Sequence, residues 1–201
     1  MTKRFKDLIR RKDNLWYVKY ARIPFTGVIE DFYNNGQLWK KENYKNGKKH
    51  GLWESYRYKG QLKFKGNYKN GKKHGFQEYY SDDGKLFSKK NYKKGKVELR
   101  ETYFKNAQLW TKGNFKNEKK HGLWEDYSDD GKLRFKQYYK DGKRHGLWQS
   151  YWWDNGHLSE KGNYKDGKKH GLWENYWHEN KLFAKQCYKN GKLHGPFEMY
   201  T

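Results

Sequence analysis

Polar and apolar positions alternate with a period of two in a segment that recurs down this chain. Leu52-Trp53-Glu54-x-Tyr56 returns as Leu123-Trp124-Glu125-x-Tyr127 and as Leu172-Trp173-Glu174-x-Tyr176. Successive side chains of a strand point to opposite faces, so Leu52, Glu54 and Tyr56 share one face while Trp53, like Trp124, Trp148 and Trp173, takes the other. A second run follows each time, with a leucine at 38, 62, 86, 109, 133, 158 and 182 and an aromatic closing it at 44, 68, 92, 115, 139, 164 and 188. Asn-Gly, Asp-Gly or Lys-Gly pairs separate the runs and supply positive φ at little cost. The pattern predicts β-hairpins, and no stretch sustains a helical apolar period.

The hairpins are copies of one unit. Histidine-glycine pairs stand at 50–51, 74–75, 121–122, 145–146, 170–171 and 194–195, spaced 24, 47, 24, 25 and 24 residues apart. The 47-residue gap hides a degenerate copy, in which Tyr92-Lys93-Lys94-Gly95-Lys96 leads into Val97-Glu98-Leu99 and one residue is missing near Lys105-Asn106. Upstream, Tyr20 to Gly27 aligns with Tyr44 to Gly51. Eight copies result, anchored at Gly27, Gly51, Gly75, Leu99, Gly122, Gly146, Gly171 and Gly195. Short units that bury little alone stack into quasi-one-dimensional arrays. The expected fold is all-β: an elongated, single-layer antiparallel β-meander of tandem hairpin repeats of about 24 residues, over residues 14–201. Residues 1–13 form a basic arm or a short capping helix, since Phe5, Leu8 and Ile9 sit at helical spacing among Lys3, Arg4, Lys6, Arg10, Arg11 and Lys12.

Composition sharpens this reading. Leu, Ile, Val and Phe number only 32 of 201 and the net charge is +23, a combination typical of disorder. The 40 aromatic residues oppose it, because a Trp or Tyr buries roughly 150–250 Å². Aromatic ladders replace the missing aliphatic core, each rung touching the next copy.

The stretch Tyr-Lys-Asn-Gly-Lys-Lys-His-Gly-Leu-Trp-Glu-x-Tyr at 44–56, its copies at 138–151 and 164–176, and the following Gly-x-Leu-x-x-Lys resemble the MORN repeat family, and more closely its bacterial variant. The resemblance covers about residues 14–201. It implies a non-catalytic repeat protein without a cofactor, and it brings the suggestion of an antitoxin or immunity role, since some bacterial members carry that description.

Charge is placed as regularly as the rings. Of 46 basic residues, 20 lie in the turns that precede each His-Gly or its equivalent. In a meander these turns share one edge, so that edge is basic, while Asn34-Asn35, Asp82-Asp83, Asp129-Asp130, Asp154-Asn155 and Glu179-Asn180 mark the other. With strands roughly 4.8 Å apart, basic clusters recur about every 10 Å. The candidate contacts are Lys48, Lys49, Lys72, Lys73, Lys119, Lys120, Lys143, Arg144, Lys168 and Lys169. Such a comb attracts nucleic acid, anionic lipid or an acidic protein through salt-sensitive electrostatics. The plainer alternative is that these lysines keep an aromatic sheet soluble and block edge pairing. A further pair of columns, Glu30, Glu54, Glu78, Glu125, Glu174 and Glu198 against Lys41, Lys65, Lys89, Lys112, Lys136, Lys161 and Lys185, would alternate in sign if opposed, or the glutamates would line a ligand groove.

Catalytic chemistry finds no foothold. Single histidines in neighbouring copies stand about 10 Å apart, too far to share a metal with bonds near about 2.0–2.1 Å. Gly66 to Lys73 and Gly162 to Lys169 imitate a phosphate loop as far as the lysine, but lack the closing Ser or Thr and lead into no helix. Cys187 is the only cysteine, so no internal disulfide forms, which is compatible with a reducing, cytoplasmic setting. Phe5, Leu8 and Ile9 are too few for the apolar region of a secretion signal, and no transmembrane segment is expected. The final Met199-Tyr200-Thr201 follows a first strand directly, which invites end-to-end self-association or pairing with a partner strand. The expectation is a repeat protein that binds a macromolecule, most concretely a protein, in a toxin-neutralising or scaffold role, with Trp53, Trp124, Trp148 and Trp173 as exposed anchors. Electrostatic binding of nucleic acid or anionic membrane along the lysine edge is the alternative.

Overall fold

The computed structural model describes residues 2–200. The chain forms two compact units, Met1–Glu98 and Leu99–Thr201. The expected antiparallel β-meander of tandem hairpins is present in both, with no α-helix among the described residues. Among those residues no helix is long and apolar enough to cross a membrane.

In the first unit, β1 (Thr2–Lys3), β2 (Leu8–Arg10) and β3 (Trp16–Val18) precede the hairpin strands β4 (Gly27–Phe32), β5 (Leu38–Lys45), β6 (Lys48–Tyr56), β7 (Leu62–Lys69), β8 (Lys72–Tyr80) and β9 (Leu86–Lys93). The unit boundary falls inside β10 (Lys96–Tyr103). The second unit continues with β11 (Leu109–Lys116), β12 (Lys119–Tyr127), β13 (Leu133–Lys140), β14 (Lys143–Tyr151), β15 (Leu158–Lys165), β16 (Lys168–Tyr176), β17 (Leu182–Lys189) and β18 (Lys192–Met199). From β4 onward, sequence neighbours within each unit pair in order and antiparallel, while β2 and β3 form a separate two-stranded sheet.

Two kinds of turn set this register. Between β5 and β6, Asn46 (φ 49°) and Gly47 (φ 70°) form a two-residue turn with both residues left-handed. That is the type I′ hairpin, whose twist matches its strands. The opposite turns are wider, and in the loop 57–61 Arg57 N–H donates to the Gln61 carbonyl at 2.8 Å. Each His-Gly pair builds a bulge: Glu42 faces Trp53 and Tyr44 faces Lys49, so the strand carrying His50-Gly51-Leu52 has two residues more than its partner over that interval. Gly51 (φ 76°) supplies the left-handed residue that such an irregularity favours.

The degenerate copy is corrected on this point. Leu99 pairs with Asn114 as Leu52 pairs with Asn67, so Leu99 occupies the leucine position and not that of Gly51. Tyr103 to Leu109 spans the same interval as Tyr56 to Leu62. The missing residue therefore lies between Lys96 and Leu99, not near Lys105-Asn106. With His-Gly gone, no residue from 96 to 99 has positive φ.

The helix expected over residues 3–12 is not formed, and neither is a disordered arm. Thr2 and Lys3 pair in parallel with Val28 and Ile29, Phe5–Asp7 makes a single 3-10 turn, and Leu8–Arg10 pairs with Trp16–Val18. Backbone pairing lets Leu8 join Phe25, Ile29, Tyr44 and Trp53 in a buried cluster, a burial that outweighs a one-turn apolar face on a short basic helix. Of the final triplet, Thr201 lies outside the described residues; Tyr200 N–H donates to the Phe183 carbonyl at 2.9 Å.

Candidate functional site

The basic turns are tied to one another through their backbones. Gly71 N–H donates to the carbonyl of Lys49 at 2.8 Å and Gly95 N–H to that of Lys73 at 2.9 Å in the first unit. Gly142, Gly167 and Gly191 bond to Lys120, Arg144 and Lys169 in the second. This ladder brings the predicted lysines of each unit together along one edge, and period two then splits them into two columns.

The second basic residue of each turn folds inward over a ring. Lys49 Nζ stands 3.9 Å from the Trp53 ring centre, Lys120 Nζ 3.9 Å from that of Trp124 and Lys169 Nζ 3.7 Å from that of Trp173. Lys73 and Arg144 lie over Tyr92 and Tyr164. An ammonium over an aromatic face is held by the ring quadrupole, and burial pulls the Lys49 pKa below its ordinary value. The first lysines, Lys48, Lys72, Lys119, Lys143 and Lys168, are exposed and remain free to meet an anion.

The tryptophans expected to be exposed anchors are buried. Trp53, Trp124, Trp148 and Trp173 form the face beneath these lysines, with Trp173 only 1% exposed. Trp53 Nε1 donates to the Asn43 carbonyl at 2.8 Å, Trp124 Nε1 to Asn114 at 3.0 Å and Trp173 Nε1 to Asn163 at 3.2 Å. Gly113 and Gly162 in the adjoining strand make the slot, since a Cβ on either would overlap the indole of Trp124 or Trp173. Gln77 replaces the indole in the first unit, and its Nε2 donates to the Asn67 carbonyl at 2.7 Å. The recurrent Gly-Asn of the second strand was the sequence signal for this burial. These rings bridge neighbouring copies, as in Tyr44–Trp53–Tyr68 and Tyr164–Trp173–Tyr188.

Other rings are the exposed ones. Beside the wider turns, Trp39, Trp110, Trp153 and Trp177 stand open, with Trp110 and Trp177 each 50% exposed. In the second unit Phe104, Trp110 and Phe135 wall a cleft of about 390 Å³ that also holds Asp126, Asp129 and Arg134. A cleft of about 310 Å³ lies between Trp152, Trp177 and Phe183, with Glu160 at its side. Burial raises the Asp126 carboxyl above its ordinary range, against the opposing hydrogen bond from Gln137. The signal for this strip was a bulky residue directly after the recurring leucine: Trp39, Phe87, Trp110 and Phe183.

The other face carries the charge ladder. Glu30, Lys41, Glu54, Lys65, Glu78 and Lys89 oppose one another in turn through the first unit. Ion pairs close at 2.8 Å for Lys41–Glu30 and 3.5 Å for Lys89–Glu78. The second unit continues the alternation with Glu101, Lys112, Glu125 and Lys136, until Gln149 stands between Lys136 and Lys161. With each glutamate flanked by lysines, the column is spoken for by cross-strand pairing, which leaves no groove of free carboxylates.

The histidines do not converge, and among the described residues no group of three or more His, Cys, Asp or Glu is placed to hold a metal. His121 Nδ1 instead faces Asp141 Oδ1 at 3.7 Å, and His145 Nδ1 faces Asp166 Oδ1 at 3.5 Å. A family model described as MORN repeat variant matches residues 25–46, 49–70, 73–94, 120–141, 144–166 and 169–190. A comparison with curated proteins found no match.

Proposed function

Since this chain belongs to the MORN repeat variant family, whose members are typically non-catalytic and generally mediate protein or membrane binding, we propose that it binds a protein partner through the aromatic strip beside its wider turns. The observation that carries this is the pair of ring-walled clefts around Trp110 and Trp177. Exposed tryptophan next to arginine and carboxylate is the composition of a binding hot spot. In its most specific form the partner is a toxin and the binding neutralises it, the role attached to the antitoxin-like proteins that the repeat resembles. Cys187 as a free thiol fits a reducing, cytoplasmic setting for that encounter.

Affinity capture on the wild-type chain and on a Trp110→Ala/Trp177→Ala variant tests the reading. A protein retained by the wild type at both about 50 and about 200 mM salt, and lost from the variant, supports it. Equal retention by both chains sinks it. The outward lysines favour a second reading, electrostatic binding of a polyanion along the basic edge, in which retention collapses between those two salt concentrations.

A further inference from the structure

The lysine edge of the unit Met1–Glu98 is not uniform. Consecutive turns there enclose a cleft of about 500 Å³ whose lining includes Lys69, Lys72, Lys73, Lys93, Lys94 and Asn70. Five lysines thus border one concavity, the Lys73 ammonium drawn over the Tyr92 ring, and no carboxylate lines it among the described residues. The volume falls in the range of about 300–1,000 Å³ seen for small-ligand sites. Like charges gathered around one cleft repel one another, and a bound polyanion removes that repulsion.

The turn corners show that this charge is not a by-product of folding. The left-handed corner is held by Asn46, Asn70, Asn117, Asp141, Asp166 and Asn190, short polar residues that tolerate αL. Lys94 occupies the same corner at φ 50° with a long aliphatic stem. Such outliers concentrate at functional sites. Glu118 is also left-handed, at φ 64°, in the position that is glycine in the other turns, so strain alone does not make the case; the sign of the side chain does. In the second unit the corners supply the carboxylates Glu118, Asp141 and Asp166, and Asp141 and Asp166 lie beside His121 and His145. The first unit supplies none at its equivalent positions.

We propose that this cleft binds a compact anion carrying two or more adjacent phosphates, the chemistry shared by a short polyphosphate chain and by the headgroup of a multiply phosphorylated lipid. The site is not a phosphate loop. Gly71 N–H is already donated to the Lys49 carbonyl and no helix follows, so recognition falls to side-chain ammonium groups that swing to meet phosphate oxygens. The Lys72 stem runs against Gly95 of the next turn. The inference is separate from the protein-binding reading, because it concerns the opposite edge and stands or falls without it.

Isothermal titration of the full chain with sodium tripolyphosphate, in about 50 mM salt, is the test. The expected result is saturable one-site binding at least about tenfold tighter than that of orthophosphate. Lys94→Asn and Lys72→Ala each weaken it by about fivefold or more, whereas Lys143→Ala and Lys168→Ala change it by less than about twofold. Lys94→Asn places at the corner the residue already found at 46, 70 and 190, so its folding is secure, and circular dichroism confirms it. Equal affinity for orthophosphate, or equal losses from Lys143→Ala and Lys94→Asn, overturns the proposal. Sedimentation with phosphatidylcholine vesicles carrying a bisphosphorylated phosphatidylinositol separates the sources. Vesicle binding that tripolyphosphate displaces supports the site with a lipid ligand, and tripolyphosphate binding without vesicle binding supports it with a soluble one. Vesicle binding that tripolyphosphate cannot displace contradicts it.

Discussion

In Met1–Glu98 the first left-handed corners of the two-residue turns hold Asn46, Asn70 and Lys94, whereas in Leu99–Thr201 they hold Asn117, Asp141, Asp166 and Asn190, with Glu118 in the following position that is glycine elsewhere. The backbone asks the same of every corner, a positive φ followed by a second one, and the turn-to-turn hydrogen bond recurs in both units, as at Gly71 and Gly167. Folding therefore leaves the charge at the corner open. One unit sets carboxylates among its lysines and the other leaves them uncompensated, which separates a structural requirement from a choice of ligand. The ring face differs in parallel. Trp124, Trp148 and Trp173 make a nearly unbroken series in the second unit, while in the first Trp53 is followed by Gln77, and the N-terminal cluster of Leu8, Phe25 and Ile29 adds burial at one end.

The hardest test of that second contrast is Trp173→Ala. It empties a slot built by Gly162 and removes contacts with Tyr164, Tyr188 and Trp148. A loss of about 3–5 kcal/mol is expected in urea denaturation, with amide exchange accelerating in residues 99–200 and not in β4–β7. Uniform acceleration across both units would break the comparison. Lys94→Asn acts on the corner instead and relieves a left-handed lysine, so stability rises by about 0.5–1 kcal/mol as affinity for tripolyphosphate falls. A variant that loses both would show that Lys94 serves folding.

Desolvation raises the carboxyl of buried Glu42 in the first unit and of half-buried Asp126 in the second. A carboxyl whose folded pKa lies above its unfolded value contributes stability below the unfolded value, and that contribution is lost as pH rises through the folded one. Asp126→Asn is thus expected to flatten part of the stability decline as pH rises above the ordinary aspartate range, read as the urea midpoint at several pH values. An unchanged profile would remove Asp126 from the account. The smallest effect belongs to the charge ladder. Gln149→Glu restores the alternation between Lys136 and Lys161 and adds about 0.2–0.5 kcal/mol that vanishes in high salt.

Much of this was legible in the residues. Period two, the Asn-Gly corners and the spacing of the His-Gly pairs fix strands, turns and hairpin order, because each is a local backbone demand. The opposition of Glu54 to Lys65 followed once the turns set the register. Burial of the tryptophans was not legible from alternation alone. Period two assigns these tryptophans to a face but not a depth, which depends on Gly113 and Gly162 in the preceding strand under Trp124 and Trp173 and on Lys120 and Lys169 closing over the rings. The position of the missing residue was also misplaced, since deletion of a bulge residue leaves the composition of the strand almost unchanged. The N-terminal segment misled for a related reason: three apolar residues satisfy a helical spacing and a strand-turn-strand path equally, and only contact with Phe25 and Ile29 decides.

The uncompensated edge of the first unit is tested most directly by tripolyphosphate titration followed by two-dimensional amide NMR of the labelled chain. Saturable shifts confined to residues 69–74 and 93–96, with the corners at Asp141 and Asp166 silent, are the predicted result. Shifts of similar size at the turns of both units would show an undifferentiated lysine comb and contradict the account.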